Sequence, residues 1–413
     1  MQKLDYSKEG DSIESLKGLH ISSVDDDNED AEDEQEMFVE EDDDEDENEQ
    51  EPVTLGFVEK PKKSWSLLGH LFPSKAGGVP AWLDPINLPS GRSCVCDICG
   101  EPLQFMLQVY APISETESAF HRTLFLFLCP SMPCLLRDQH EQWKRKPQMP
   151  SRSVKVFRCQ LPRSNPFYPS EPPRNDGTDK PCTSGVVVCK WCGTWKGDKV
   201  CSDCKKAQYC SQKHQVMHWR SGHRTDCQQQ ITASGSPDSN SSDQEANLGG
   251  VIKFASKTLW PEFEVINEDE SEFDDEIADN GGHDCSLVSK NRVDDTMKLM
   301  DSFEGDGDKK CWTSFQSRIA KAPDQVLRYC RSDNAKPIWP STSGQLPKTD
   351  IPNCSYCGGP MTYEFQVLPQ LLYYFGVKNE AESLDWGTIV VYTCVASCEA
   401  SVSYMEEYAW VQL

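Results

Sequence analysis

CDICGEPLQFMLQV (Cys96–Val109) and CSYCGGPMTYEFQV (Cys354–Val367) align without a gap. Each opens on a C-x2-C knuckle followed by a glycine, Gly100 or Gly358, and runs on into an aromatic, aliphatic stretch. A two-residue gap lets both sulfurs reach one ion, and glycine supplies the tight turn behind them. Each copy then reaches a second stretch ending in a cysteine pair: RTLFLFLC with Cys129 and Cys134, and GTIVVYTC with Cys394 and Cys398. Stretches rich in aromatic and aliphatic residues, without helical caps, predict strands. The repeat therefore predicts a mixed, mainly β fold: two related halves, each a Cys knuckle and a β-meander, forming one split β-rich body. Cys96, Cys99, Cys129 and Cys134 make one four-thiol set, and Cys354, Cys357, Cys394 and Cys398 the other. Small buried thiols are the plain alternative, and recurrence in both halves favours zinc.

Between the copies the spacing is denser: Cys189-x2-Cys192-x8-Cys201-x2-Cys204-x5-Cys210-x3-His214-x8-His223-x3-Cys227. Thiolate and imidazole suit the borderline softness of zinc. The interleaved order predicts a cross-brace. Cys189, Cys192, Cys210 and His214 would take one ion, and Cys201, Cys204, His223 and Cys227 the other. Both sets are full, which leaves no position for a catalytic water. So short a segment has little apolar core, so metal binding supplies its folding energy. Trp191 and Trp195 stand among Lys190, Lys196, Lys199, Lys205 and Lys206, which predicts a basic, partly aromatic face able to receive a peptide. Cys94, Cys159, Cys182, Cys285, Cys311 and Cys330 lack a partner at ligand spacing and read as plain thiols.

Charge sets the boundaries. The 413 residues carry a net charge of −26, yet Asp25–Glu51 alone holds 19 acids and no Lys or Arg, and Glu262–Asp279 adds 10 more. Without those tracts the chain is close to neutral. Neither tract buries enough apolar surface to offset its ordering entropy. They serve as solvated linkers, or as a lure for a basic partner and a screen against nucleic acid. The expected organisation is a disordered acidic arm over 1–54, the N-terminal half of the body over 55–183 and the finger over 184–230. A disordered acidic, Ser-rich linker follows over 231–310, relieved by an apolar patch at Leu259–Ile266, and the C-terminal half occupies 311–413.

Several classes are set aside. No segment approaches the roughly 20 apolar residues of a membrane helix. MQKLDYSKEGDS lacks the apolar core of a secretory signal, so 20 cysteines point to a reducing compartment, cytoplasm or nucleus. Ile13, Leu16, Leu19 and Ile21 have the spacing of a leucine-rich nuclear export signal, or of an amphipathic turn without a role. No P-loop, GxSxG or HExxH is present, so no enzymatic activity is expected.

The central pattern resembles the MYND zinc-finger family, including the Tyr209-Cys210 step and Trp219 ahead of His223. It departs at His214, where most of that family have Cys, and the exchange keeps a zinc ligand. The flanks FPSKAGGVPAWL, LQVYAP, RTLFLFLC, VFRCQLPRSNPFY, PDQVLRYCR, IPNCSYCG and DWGTIVVYTC resemble the programmed cell death protein 2 family over most of 55–230 and 312–413. That resemblance implies a zinc-binding chaperone that escorts a basic small-subunit ribosomal protein and supports 40S subunit maturation. The alternative it leaves is a transcriptional co-regulator adaptor that docks proline-rich peptides on the finger. Some MYND proteins are lysine methyltransferases, but the Asn-His-x-Cys-x-Pro-Asn-like strand of that domain is absent. Direct contact with nucleic acid or membrane is not expected.

Overall fold

Ten antiparallel strands close into a barrel in the computed structural model, in the order β1-β8-β2-β3-β4-β5-β12-β11-β10-β9, with β9 returning to β1. The structure describes residues 52–413 except 64, 145–150, 175, 180–184, 234–253, 274–305, 379 and 381. Nearly all of the acidic arm, the Ile13–Ile21 motif and most of the 231–310 segment lie outside the described residues.

The strands from the N-terminal part are β1 (Thr54–Glu59), β2 (Lys75–Ala76), β3 (Gln104–Tyr110), β4 (His121–Leu128) and β5 (Val154–Leu161). Those from the C-terminal part are β9 (Leu327–Tyr329), β10 (Met361–Val367), β11 (Thr388–Cys394) and β12 (Tyr404–Gln412). The finger contributes a separate two-stranded hairpin, β6 (Lys199–Val200) and β7 (Gln208–Tyr209). β5 meets β12 at one junction, from Cys159 opposite Tyr404 to Val156 opposite Glu407.

The uninterrupted apolar run of β4 follows from burial on both faces. Leu124, Leu126 and Leu128 join Val109, Val156, Val391 and Val411 in the core inside the barrel. Phe125 and Phe127 alternate with them and enter a second core, shared with Trp82 and Trp195 on the outer wall.

Both copies of the repeat carry a register shift, between Phe105 and Leu107 in β3 and between Tyr363 and Phe365 in β10. The gapless alignment makes Met106 and Glu364 the matching extra residues of two bulges. Met106 stays in the apolar core. Glu364 is fully buried and receives Arg122 from β4, with Nη2 at 2.7 Å from Oε2, together with the Tyr329 hydroxyl at 3.0 Å. Burial alone would raise the Glu364 carboxyl, but the charge and hydrogen bonds of Arg122, the Thr393 hydroxyl and the Arg331 charge together outweigh it and hold the carboxyl below its ordinary range.

One expectation is corrected. Phe263–Asp269, placed in the linker by its acidity, is strand β8, lying between β1 and β2. Phe263 and Val265 alternate into the barrel core, and the acids occupy the other face and the ends. Glu262 pairs with buried Lys75, and Glu270 pairs with Arg328 at 2.7 Å. Part of the second acidic tract is therefore structural rather than a solvated linker.

The meander of the N-terminal part is also interrupted by a helix, α1 (Met132–Gln142), between β4 and β5. Its Asp138 is buried and accepts the Val154 amide at 3.1 Å and the Ser153 hydroxyl at 2.9 Å, which ties the helix to the next strand. In the finger, α2 (Gln212–His218) and α3 (Arg224–Ala233) flank a one-turn π-helix. Beyond it, α4 (Asp306–Lys321) packs Phe315 and Ile319 on Leu368, just ahead of the short α5 (Gln370–Tyr374). No described helix is long and apolar enough to cross a membrane.

Candidate metal centres

Four knuckles share one backbone form. The N–H of Gly100 donates to Cys96 O, Gly193 to Cys189 O, and Gly358 to Cys354 O, each at 2.8 Å, and Lys205 donates to Cys201 O at 3.0 Å. The first cysteine of each knuckle donates in turn to a carbonyl downstream: Cys96 to Glu101, Cys189 to Trp195, Cys201 to Ala207 and Cys354 to Gly359, all at 2.8 Å. Closing so tight a loop needs a left-handed residue after the second cysteine. Gly100, Gly193 and Gly358 have φ of +74°, +68° and +73°, and Lys205 takes the same conformation at +56°. Sequence spacing located the knuckles, but gave no signal that a lysine fills this position in one of them.

Among the described residues, Cys and His converge in four groups: Cys96, Cys99, Cys129 and Cys134; Cys189, Cys192, Cys210 and His214; Cys201, Cys204, His223 and Cys227; and Cys354, Cys357, Cys394 and Cys398. These are the sets expected from the sequence, and the ligand atoms within each lie within 4.8 Å of one another. Cys99 and Cys129 sulfurs are 3.7 Å apart, Cys192 and Cys210 3.9 Å, Cys201 and Cys227 3.8 Å, and Cys357 and Cys394 3.6 Å. A tetrahedron with Zn–S bonds of about 2.3 Å has edges of about 3.8 Å. The spacing is therefore that of thiolates around one ion, far beyond the roughly 2.05 Å of a disulfide.

The two histidines present different nitrogens. His214 Nδ1 lies 3.1 Å from Cys210 Sγ and 3.7 Å from Cys189 Sγ, whereas His223 Nε2 lies 3.6 Å from Cys204 Sγ. Ser211 caps α2 by accepting the His214 amide at 3.1 Å, which fixes the turn carrying that ligand. The interleaved chain order thus gives a cross-brace in space.

Within a set, close thiols shift one another in opposite directions. Hydrogen bonding with Cys129 pulls the Cys96 thiol down to about 5, and the same bond pushes Cys129 up. Cys189 is lowered by Cys192 and then Cys210, while Cys210 is raised by Cys189 and Cys192. Burial lowers His214, but its thiolate neighbours Cys189 and Cys192 outweigh it and bring the imidazole to about 9. Four thiols, or three thiols and an imidazole, held this close favour a dication that takes the place of the protons. The sets are able to hold zinc as structural centres, with no open position for substrate.

The C-terminal set is also gripped from inside the barrel. Glu407 Oε2 accepts the Cys394 amide at 3.0 Å, and Arg158 Nη1 donates to Cys398 O at 3.0 Å. Arg158 Nε meets Glu407 Oε1 at 2.5 Å, with both side chains fully buried. Arg158 lies 240 residues from Cys398, and Glu407, though only 13 residues from Cys394, reads in sequence as an ordinary strand carboxylate; both went unnoticed there.

The finger is docked on the barrel wall. Trp195, 1 % exposed, donates from Nε1 to Leu103 O at 2.8 Å and packs 4.5 Å from Phe127 between ring centroids. Trp82 returns a bond to Thr194 O at 2.9 Å, and Lys213 pairs with Glu101 at 2.8 Å. Trp191 is also buried, at 7 % exposure. The aromatic part of the expected peptide face thus turns inward, because the wall offers Phe105, Phe125 and Phe127 to cover. The edge beside Trp191 is taken by the chain itself. Ser256 donates to Trp191 O at 3.0 Å, and the Phe254 ring lies where a side chain on Gly193 would project.

Comparison with known proteins accords with this architecture. Residues 52–175 match the model described as programmed cell death protein 2, N-terminal domain; 309–413 match its C-terminal putative domain, and 189–227 match the MYND finger. The chain is 36 % identical to programmed cell death protein 2 of Bos taurus over 369 residues, covering 87 % of this chain and 96 % of that one. The Rattus norvegicus protein of the same name is 38 % identical over 370 residues, covering 87 % and 97 %. A more distant relative, probable 20S rRNA accumulation protein 4 of Schizosaccharomyces pombe, is 27 % identical over 119 residues, covering 25 % and 28 %. No solved structure matches. Matched at both ends of the barrel and in the finger between them, the chain belongs to the programmed cell death protein 2 family.

Proposed function

We propose that this chain is a non-enzymatic, zinc-stabilised chaperone that escorts a basic small-subunit ribosomal protein and supports 40S subunit biogenesis. The observation that carries the reading is the charge balance, 67 acids against 41 bases, with the excess concentrated in the arm over 1–54. Newly made ribosomal proteins are densely basic, and long-range attraction to an acidic chain speeds their capture. The name of the fission-yeast relative, which refers to 20S rRNA accumulation, supports a link to ribosomal RNA maturation. Each of the four sets takes one zinc, giving four ions per chain. The barrel is two duplicated halves, and its paired bulges and knuckles support that origin. The chain works in cytoplasm and nucleus, with Ile13, Leu16, Leu19 and Ile21 as the export element.

The adaptor reading, with co-regulator peptides at the finger, has less support, since Trp191 and Trp195 are buried and Phe254–Ser256 covers the neighbouring edge. Association kinetics with a purified basic ribosomal protein at two salt concentrations test the choice. Deleting 1–49, which spares the β1 strand, should slow association at low salt, with the effect fading as the Debye length shrinks below about 8 Å, and leave dissociation nearly unchanged. Trp386→Ala, in the barrel core, should instead shorten the lifetime of the complex. Full binding by the isolated finger, with none by the finger-deleted chain, would overturn the escort reading.

A further inference from the structure

The ladder between β5 and β12 stops at Cys159 opposite Tyr404, while β5 runs on to Leu161. Past that pair β12 has ended and β5 is paired with β4 alone, and a cleft of about 580 Å³ opens between the end of β5, the Glu117–Ala119 turn and the segment leading into β12. That volume falls within the roughly 300–1,000 Å³ typical of ligand clefts. Along a strand, successive residues direct their N–H and C=O groups to opposite sides, so one of Gln160 and Leu161 aims its backbone pair into the opening. Pro162, Val402 and Met405 supply apolar wall, with Val402 46 % exposed.

The charged side chains lining the cleft are Glu117 and Glu399, both exposed; among the described residues no Lys or Arg lines it. Arg158 approaches from beneath, but its guanidinium is spent on Glu407, Gln160 and the Cys398 carbonyl. Arg163, the nearest cation along the chain, lies over the Phe120 ring and donates to Ser170 O.

We propose that this cleft receives an extended, Lys- and Arg-bearing protein segment, which pairs with the free end of β5 and sets its cations against Glu117 and Glu399. The occupant adds a strand at the junction of β5 and β12, with main-chain bonds giving affinity and the two carboxylates selecting charge. The proposal rests on the escort reading and gives the basic client a docking surface on the barrel.

The test uses the full chain and a fluorescent synthetic peptide repeating Arg-Val-Lys-Thr, with a Glu-Val-Glu-Thr counterpart as control. Anisotropy at low salt should show binding of the basic peptide only. Glu117→Gln combined with Glu399→Gln should weaken it about five- to tenfold, since exposed charge pairs contribute modestly. Ala400→Trp, which fills the cleft while keeping both carboxylates in the chain, should weaken it at least as much. Equal binding of both peptides, or of neither, would overturn the cleft. So would basic-peptide binding that ignores all three substitutions and disappears on deletion of 1–49; that result leaves the escort reading standing. The escort reading fails separately, if the unaltered chain does not retain a whole basic ribosomal protein.

Discussion

Arg158 of β5 and Glu407 of β12 meet across the junction of the barrel's N- and C-terminal strands, both fully buried, and each also holds a cysteine of the C-terminal metal set. Glu407→Gln leaves the guanidinium without its counter-charge. Breaking a buried pair from one side costs about 3–5 kcal/mol. The variant should unfold at lower denaturant and release one metal ion ahead of the others on chelator titration. Arg158→Met with Glu407→Leu should recover stability but not metal retention. If the double variant holds its metal normally, the pair supports the barrel alone.

Metal content distinguishes the sets. Elemental analysis of pure protein should give four zinc ions per chain. Cys354→Ser and Cys204→Ser should each remove about one. A content near two would assign zinc to the finger alone and leave the other eight cysteines as plain thiols.

Lys205 holds a left-handed conformation that glycine holds in the other three knuckles. Lys205→Gly should therefore stabilise the finger, by roughly 1 kcal/mol for the relieved strain. Gly358→Ala has open space around the new Cβ, so its cost is conformational only and of similar size. Resistance to chelator-induced unfolding should move in opposite directions for the two.

Trp195→Ala should do more than loosen the finger. The indole fills the outer core beside Phe127 and Trp82, and removing a buried Trp costs about 3–5 kcal/mol. Limited proteolysis should then cut within 185–230 at low protease and reach the barrel soon after. Unchanged barrel lifetime would show the wall to be stable without its cover.

His121 stacks 4.2 Å from Phe72 and bonds the Tyr110 hydroxyl at 2.9 Å, and burial lowers its pKa below 6.5. A group depressed on folding contributes stability above its unfolded pKa, which is lost as pH falls through the folded value. His121→Phe should flatten the acid side of the stability profile relative to the parent, below about pH 6.5. Chemical denaturation at pH 7 and pH 5 measures the difference.

The metal sets were legible because ligand spacing is a covalent constraint that survives any packing. Cys96, Cys129 and Cys134 lie on three separate elements, yet the matching copy at Cys354, Cys394 and Cys398 exposed their grouping. β8 was hidden for the opposite reason. Its alternation, Phe263 and Val265 inward, sits inside a run of acids whose charge dominated the composition. Glu270 looked solvated, although its partner Arg328 comes from β9, 58 residues away. Helix α1 escaped because Met132–Gln142 has a weak apolar stripe and is held by Asp138, a polar anchor that periodicity does not reveal. The inward turn of Trp195 depends on what the finger rests against, which one segment read alone does not contain.

The closing of β1 onto β8 and β9 carries a consequence for synthesis. Residues 54–59 find their partners only at 264–269 and 327–329, and β5 finds β12 only at 404–407. The barrel therefore stays open until the last strand has left the ribosome, and such distant pairings make slow folding. Through that interval β4 shows two apolar faces. The finger emerges about 70 residues later and covers Phe125 and Phe127, whereas Leu124 and Leu126 wait for β11 and β12. Zinc supply during translation should thus decide how much of this chain escapes aggregation before the barrel has closed.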